Sequence, residues 1–69
     1  MSGMIRVNGA ERPLDIDTVG ALVAALGIAP DARGIAVALN GAVVPRAKWA
    51  GATLAVGDQV EVIKAMQGG

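Results

Sequence analysis

The sequence predicts an α+β fold: a mixed sheet of four or five strands packed on one main helix. Three observations lead there. Short period-two apolar runs occur near both ends of the chain and in its middle. A single stripe at helical spacing separates the early strands from the later ones. Two Asn-Gly pairs punctuate the strands. Strands grouped around one helix make a layered α+β arrangement.

Met4-Ile5-Arg6-Val7 alternates, with Ile5 and Val7 on one face and Arg6 on the other. That is the pattern of a half-buried strand. Asn8-Gly9 follows, a favoured pair for a type I′ turn, whose central residues both need positive φ. The chain returns over residues 11–14 as a second strand. Pro13 lacks an N–H, which assigns this strand to an edge. Met1-Ser2-Gly3, ahead of the second methionine, are set aside as a leader or cloning remnant, so the domain is expected to span residues 4–63.

Asp15-Ile16-Asp17-Thr18 leads into the helix. Either Asp17 or Thr18 can cap it by accepting from orphan backbone N–H groups. The neighbouring Asp15 and Asp17 suit the positive end of a helix dipole better than paired catalysis. Val19, Leu22, Val23 and Leu26 recur at i, i+3, i+4 and i+7, a single apolar stripe. Gly27 ends the helix as a left-handed residue, and Ile28 can fold back on Val23. Pro30 disfavours a restart.

Residues 29–34 form a polar loop. Ile35-Ala36-Val37-Ala38-Leu39 is the clearest strand, with the large side chains on one face and only alanine on the other. Asn40-Gly41 predicts a second hairpin turn into a short strand, Ala42-Val43-Val44, which Pro45 stops. Residues 46–54 are irregular, with room for one helical turn around Lys48-Trp49-Ala50. Gly57-Asp58 is a turn signal before a last strand over residues 60–63. Residues 64–69 then read as a flexible tail, Lys64-Ala65-Met66-Gln67-Gly68-Gly69.

Composition narrows the function. A domain of 69 residues has a thin core, since chains this short bury only about 60% of their unfolded surface. With no cysteine and no histidine, disulfides and thiolate or imidazole zinc sites are excluded. Stability must come from aliphatic packing, and a 54% hydrophobic content supplies it. Six basic and six acidic residues cancel and form no basic run. Trp49 is the lone aromatic, so a nucleic-acid footprint is missing. No apolar stretch approaches the roughly 18 residues of a membrane span. The default for such a chain is a soluble cytoplasmic protein.

Catalysis is poorly supplied as well. There is no histidine or cysteine to act as base or nucleophile. No phosphate-cradling glycine loop is present. The chain is expected to be no enzyme, with no catalytic residue, no bound cofactor and no metal.

The unusual feature is the Gly68-Gly69 terminus. Two glycines end a sequence by chance roughly once in 200. An α-carboxylate is ionised at neutral pH without a general base. It can attack the α-phosphorus of ATP in a partner enzyme to give an acyl-adenylate, from which a sulfur donor displaces AMP to leave a thiocarboxylate. Reaching a buried ATP calls for a thin strand, and glycine has no side chain to clash. Six residues can span up to roughly 20 Å. Gly69 is therefore the candidate reactive residue, with Gly68, Gln67 and Met66 as spacer.

The chain resembles the ThiS family, the sulfur carriers of thiamine thiazole biosynthesis. The resemblance rests on Ile5-Arg6-Val7-Asn8-Gly9, Thr18-Val19 with the helix ending at Gly27, and Val37-Ala38-Leu39-Asn40-Gly41. It continues through Val43-Val44-Pro45-Arg46 with Trp49, Gly57-Asp58 and Gly68-Gly69. The diglycine alone is shared by several carrier and modifier families, and the central segment is the more specific part. The resemblance implies a ubiquitin-like β-grasp, with the first and last strands parallel and adjacent at the sheet centre. It implies adenylation of Gly69 by a ThiF-like enzyme that consumes ATP, sulfur from a donor protein, and delivery to a ThiG-like thiazole synthase. The alternatives are a MoaD-like carrier of molybdopterin synthase, a ubiquitin-like modifier of lysines, and a plain binding module.

Ala36, Ala38 and Ile63 should share the sheet face away from the helix, as a solvated surface or as an apolar docking surface. Trp49 is either a partner anchor or a cap over the edge of a small core. Arg46 beside it can pair with a carboxylate on the chain or on a partner.

Overall fold

The computed structural model describes residues 3–29 and 31–64. Strand β1 (Met4–Val7) turns back into β2 (Ala10–Pro13), helix α1 follows (Val19–Ala25), and then β3 (Ile35–Leu39) and β4 (Ala42–Val43). A 3₁₀ helix (Arg46–Gly51) crosses to the last strand, β5 (Gln59–Lys64). The five strands form one sheet in the order β2-β1-β5-β3-β4. Only β1 and β5 run parallel, with Arg6 beside Gln59 and Val7 beside Val60. This is the ubiquitin-like β-grasp, and Pro13 lies on an edge strand, where its missing N–H costs nothing.

Both hairpin turns have the geometry their residues predict. Asn8 and Gly9 take φ of 52° and 84°, and Asn40 and Gly41 take 51° and 85°. The first hairpin reaches further back than Met4, because the Leu14 N–H donates to the Gly3 carbonyl at 3.0 Å. β2 itself covers residues 10–13 rather than 11–14, since the tight turn leaves Ala10 already opposite Val7.

Thr18 is the helix cap. Its Oγ1 accepts from the Ala21 N–H at 3.1 Å, and its own φ of −134° is extended. The Val19 N–H, which no helical carbonyl can reach, donates to Ala52 at 2.9 Å. Leu54 N–H returns a bond to the Asp17 carbonyl at 2.8 Å. Asp17 thus supplies its backbone while Thr18 caps. At the other end Gly27, with φ of 83°, donates to Ala24, and Ile28 donates to Val23. These two bonds form a Schellman ending. The helix stops one position sooner than its stripe. Leu26 is the cap residue, 37% exposed, because the chain is already turning away from the core there.

Among the described residues, ten form the buried cluster: Ile5, Val7, Val19, Leu22, Val23, Val37, Trp49, Leu54, Val60 and Val62. One sheet face and the inner face of α1 supply most of it. The 3₁₀ helix lays Trp49 against the end of that layer. The residue is 6% exposed, and its Nε1–H donates to the Val44 carbonyl at 2.9 Å. Val44 lies just past β4, yet its N–H still donates to Val37 at 2.8 Å.

Candidate functional site

β5 is the element from which the candidate reactive tail departs, and the fold grips it on both sides. Toward β3 it is paired along its length, from Leu39 opposite Val60 to Ile35 opposite Lys64. The strand therefore includes Lys64, which the sequence reading assigned to the tail, because the register with Ile35 extends that far. Toward β1 the last paired residue is Val7, and the last backbone bond is from the Asn8 N–H to the Val60 carbonyl at 2.9 Å. The Asn8 side chain carries the ladder on. Asn8 Oδ1 accepts from the Val62 N–H at 2.8 Å, and its Nδ2 donates to the Val62 carbonyl at 3.2 Å.

The second turn asparagine performs the matching task at the start of β5. Asn40 Oδ1 accepts from the Gln59 N–H at 2.9 Å, and its Nδ2 donates to Asp58 Oδ1 at 3.0 Å. Asp58 in turn accepts from the Ala55 N–H at 2.8 Å through its other oxygen. The sequence marks these two asparagines only as turn formers. Nothing local signals their second role, since the partners lie 54 and 19 positions away.

The sheet face away from α1 brings three predicted docking residues together. Val37, Val60 and Val62 point into the core, so their neighbours point outward by alternation. Ala36 stands directly opposite Ile63, and Ala38 opposite both Glu61 and Val43. Ile63 is 56% exposed and Val43 75%. Val43 belongs to this surface although the sequence reading did not single it out. The Asn40-Gly41 turn fixes the register that puts it beside Ala38. The β1–β2 half of the same face is charged, with Arg6 and Glu11 paired at 3.7 Å.

Trp49 does not join that surface. It is buried in the core layer on the opposite side of the sheet, so of its two readings the core cap is the one its position fits. Arg46 lies over its ring, 4.6 Å from the centroid, and donates to the Ala32 carbonyl. The guanidinium thus ties the loop before β3 to the 3₁₀ helix. Met66, Gln67, Gly68 and Gly69 lie outside the described residues. Among the described residues no group of three or more metal-capable side chains comes together, and no helix is long and apolar enough to cross a membrane.

A family model for the ThiS family matches residues 5–69. The chain belongs to the ThiS family. Membership supports a sulfur-carrier role, in a family of small carriers rather than catalytic enzymes, with partners in thiamine biosynthesis. Two solved structures of ThiS-type proteins are similar to it. The crystal structure of the thiamine biosynthesis protein ThiS from Geobacter metallireducens has 35% identity and a TM-score of 0.77, over 96% of this chain and 99% of that one. The solution structure of a thiamine biosynthesis protein from the same organism has 35% identity and a TM-score of 0.74, over 100% of this chain and 88% of that one. Curated protein sequences give no match.

Proposed function

We propose that this ThiS-family chain carries sulfur as a thiocarboxylate on Gly69. A carboxylate oxygen of Gly69 attacks the α-phosphorus of ATP held by a ThiF-like enzyme, and pyrophosphate leaves. A hydrosulfide equivalent released by a donor protein then attacks the acyl carbon, forming the C–S bond of a terminal thiocarboxylate. The C–O bond to the phosphate breaks and AMP departs with its electron pair. A ThiG-like thiazole synthase takes the sulfur in building the thiazole of thiamine. In this reading the chain is a cytoplasmic co-substrate that supplies no catalytic side chain, and the ATP is bound and consumed by its partner.

The observation that carries the reading is the family match, which extends from residue 5 in the first strand to residue 69, the end of the diglycine. The architecture supports it. Pairing of β5 with β3 as far as Lys64 gives the tail a firm root, so docking of the body defines where the tail begins. Intact-mass measurement after incubation with a ThiF-like enzyme, ATP and a sulfur donor tests the proposal. The expected product has one oxygen replaced by sulfur. Covalent adducts on lysines of other proteins would point instead to a modifier, and an unchanged mass with active adenylating enzymes would remove the carrier reading.

The apolar part of the open face, Ala36, Ala38 and Ile63 with Val43, is the surface we assign to partner docking. Exposed aliphatic groups clustered on a small domain mark such surfaces. Ile63→Glu is expected to raise the apparent KM for the carrier in adenylation by roughly tenfold, the effect of losing a moderate interface contact. Its melting temperature should stay near that of the parent, since Ile63 is exposed. An unchanged KM would place the interface elsewhere.

A further inference from the structure

Both hairpin turns carry an Asn-Gly sequence, at Asn8-Gly9 and Asn40-Gly41. This is the pair in which a side-chain amide is most open to attack by its own backbone. The glycine nitrogen approaches the asparagine Cγ without a side chain in the way. A C–N bond forms, the Cγ–Nδ2 bond breaks, and ammonia leaves with the proton of the attacking nitrogen. Water then adds to either carbonyl of the cyclic imide and opens it to aspartate or isoaspartate. Water is the sole co-reactant. The conformational demand is that the side chain swing free of its partners and onto the glycine nitrogen.

The fold denies that freedom at both turns, by different means. At Asn8 the two amide bonds are to the backbone of Val62 and are partly buried. The backbone ties both turns to β5, the Asn8 N–H donating to Val60 at 2.9 Å and the Asn40 N–H to Gln59 at 2.7 Å, so the difference lies in the side-chain bonds. The Asn8 amide can turn only when both of its bonds to Val62 break together, and Val62 lies inside β5, the central strand of the sheet. At Asn40 both side-chain bonds are exposed to water. One partner, Asp58, is itself a side chain, and the other, Gln59, is the first residue of β5. Strand ends open at far lower cost than strand centres.

We propose that Asn40 and Asn8 are two deamidation sites with separate gates. Asn40 reacts in the folded protein, through local opening of the turn between β3 and β4. Asn8 reacts only when β5 leaves the sheet. The products also differ in what they break. A carboxylate at position 40 would face the Asp58 carboxylate where a donor now sits. At position 8 it would set an oxygen against the Val62 carbonyl in place of Nδ2–H, so a chain that has once lain open long enough to react cannot restore the bond. Asn8 is therefore a chemical record of time spent unfolded.

The test follows both sites by peptide mapping, using the full chain held in mildly alkaline buffer with and without an unfolding concentration of urea. In buffer alone Asn40 should convert at least about tenfold faster than Asn8, since local openings are far more populated than global ones. In urea the two rates should converge. Thr18→Ala supplies the second arm, because it loosens the whole fold without touching either turn. It should speed conversion at Asn8 roughly fivefold, the factor by which loss of a helix cap shifts an unfolding equilibrium, and leave Asn40 nearly unchanged. Equal rates at the two sites in the folded protein, or equal acceleration of both by Thr18→Ala, would overturn the proposal.

Discussion

A chain ending at Gly68 is expected to fold as the parent does and to be adenylated at least about 100-fold more slowly. The scale follows from geometry: a misplacement of about 1 Å at a reacting atom already costs on the order of 10²-fold, and removing one residue draws the carboxylate back by roughly 3.5 Å. The fold should be indifferent to the deletion. The buried cluster runs from Ile5 to Val62, and the strand ladders end at Lys64. Pyrophosphate release with a ThiF-like enzyme measures the loss, and thermal unfolding checks that the body is intact. Normal adenylation of the shortened chain would show that the reactive group lies elsewhere.

The largest expected effect on stability is at Leu22. This side chain is fully buried, on the inner face of α1. Leu22→Ala removes buried methyl groups and leaves a cavity, which costs about 3 kcal/mol. A domain of this size is stabilised by only about 3–10 kcal/mol in total. The melting temperature should therefore fall by roughly 10–25 °C. The sheet offers few alternatives for filling the space, since the core is built of small aliphatics around a single Trp. A shift below about 5 °C would mean that α1 can settle onto the sheet and close the gap.

Much of the fold was legible because local and long-range signals agree. Ile5 and Val7 alternate with Arg6, and they are buried while Arg6 is exposed. Asn8-Gly9 and Asn40-Gly41 called for positive φ at both turn positions, and both turns have it. Gly27 and Ile28 end the helix by the two bonds their order suggests. The parallel pairing of β1 with β5 was different. Nothing in the spacing of Val7 or Val60 reveals it, and it entered through family resemblance alone. Leu26 misled because a helical stripe does not announce where the helix lets go. Trp49 stayed ambiguous in the sequence because an isolated aromatic in an irregular stretch has no periodicity to orient it.

The candidate site divides in the same way. Ala36 and Ala38 could be placed on one face from β3 alone, and Ile63 from β5. Their adjacency depends on the register between those strands, which side-chain alternation cannot supply. Val43 was overlooked for the same reason. The asparagine amides on β5 could not be foreseen, since a turn residue gives no local hint of a partner on a distant strand. The functional reading of Gly69 comes from sequence and kinship.

The placement of β5 also decides how the domain bears a mechanical load. A pull along β5 loads a strand paired with β3 from Val60 to Lys64 and with β1 at Gln59 and Val60. The ladder bonds then resist together, in shear, instead of opening singly as they would if an outer strand were peeled away.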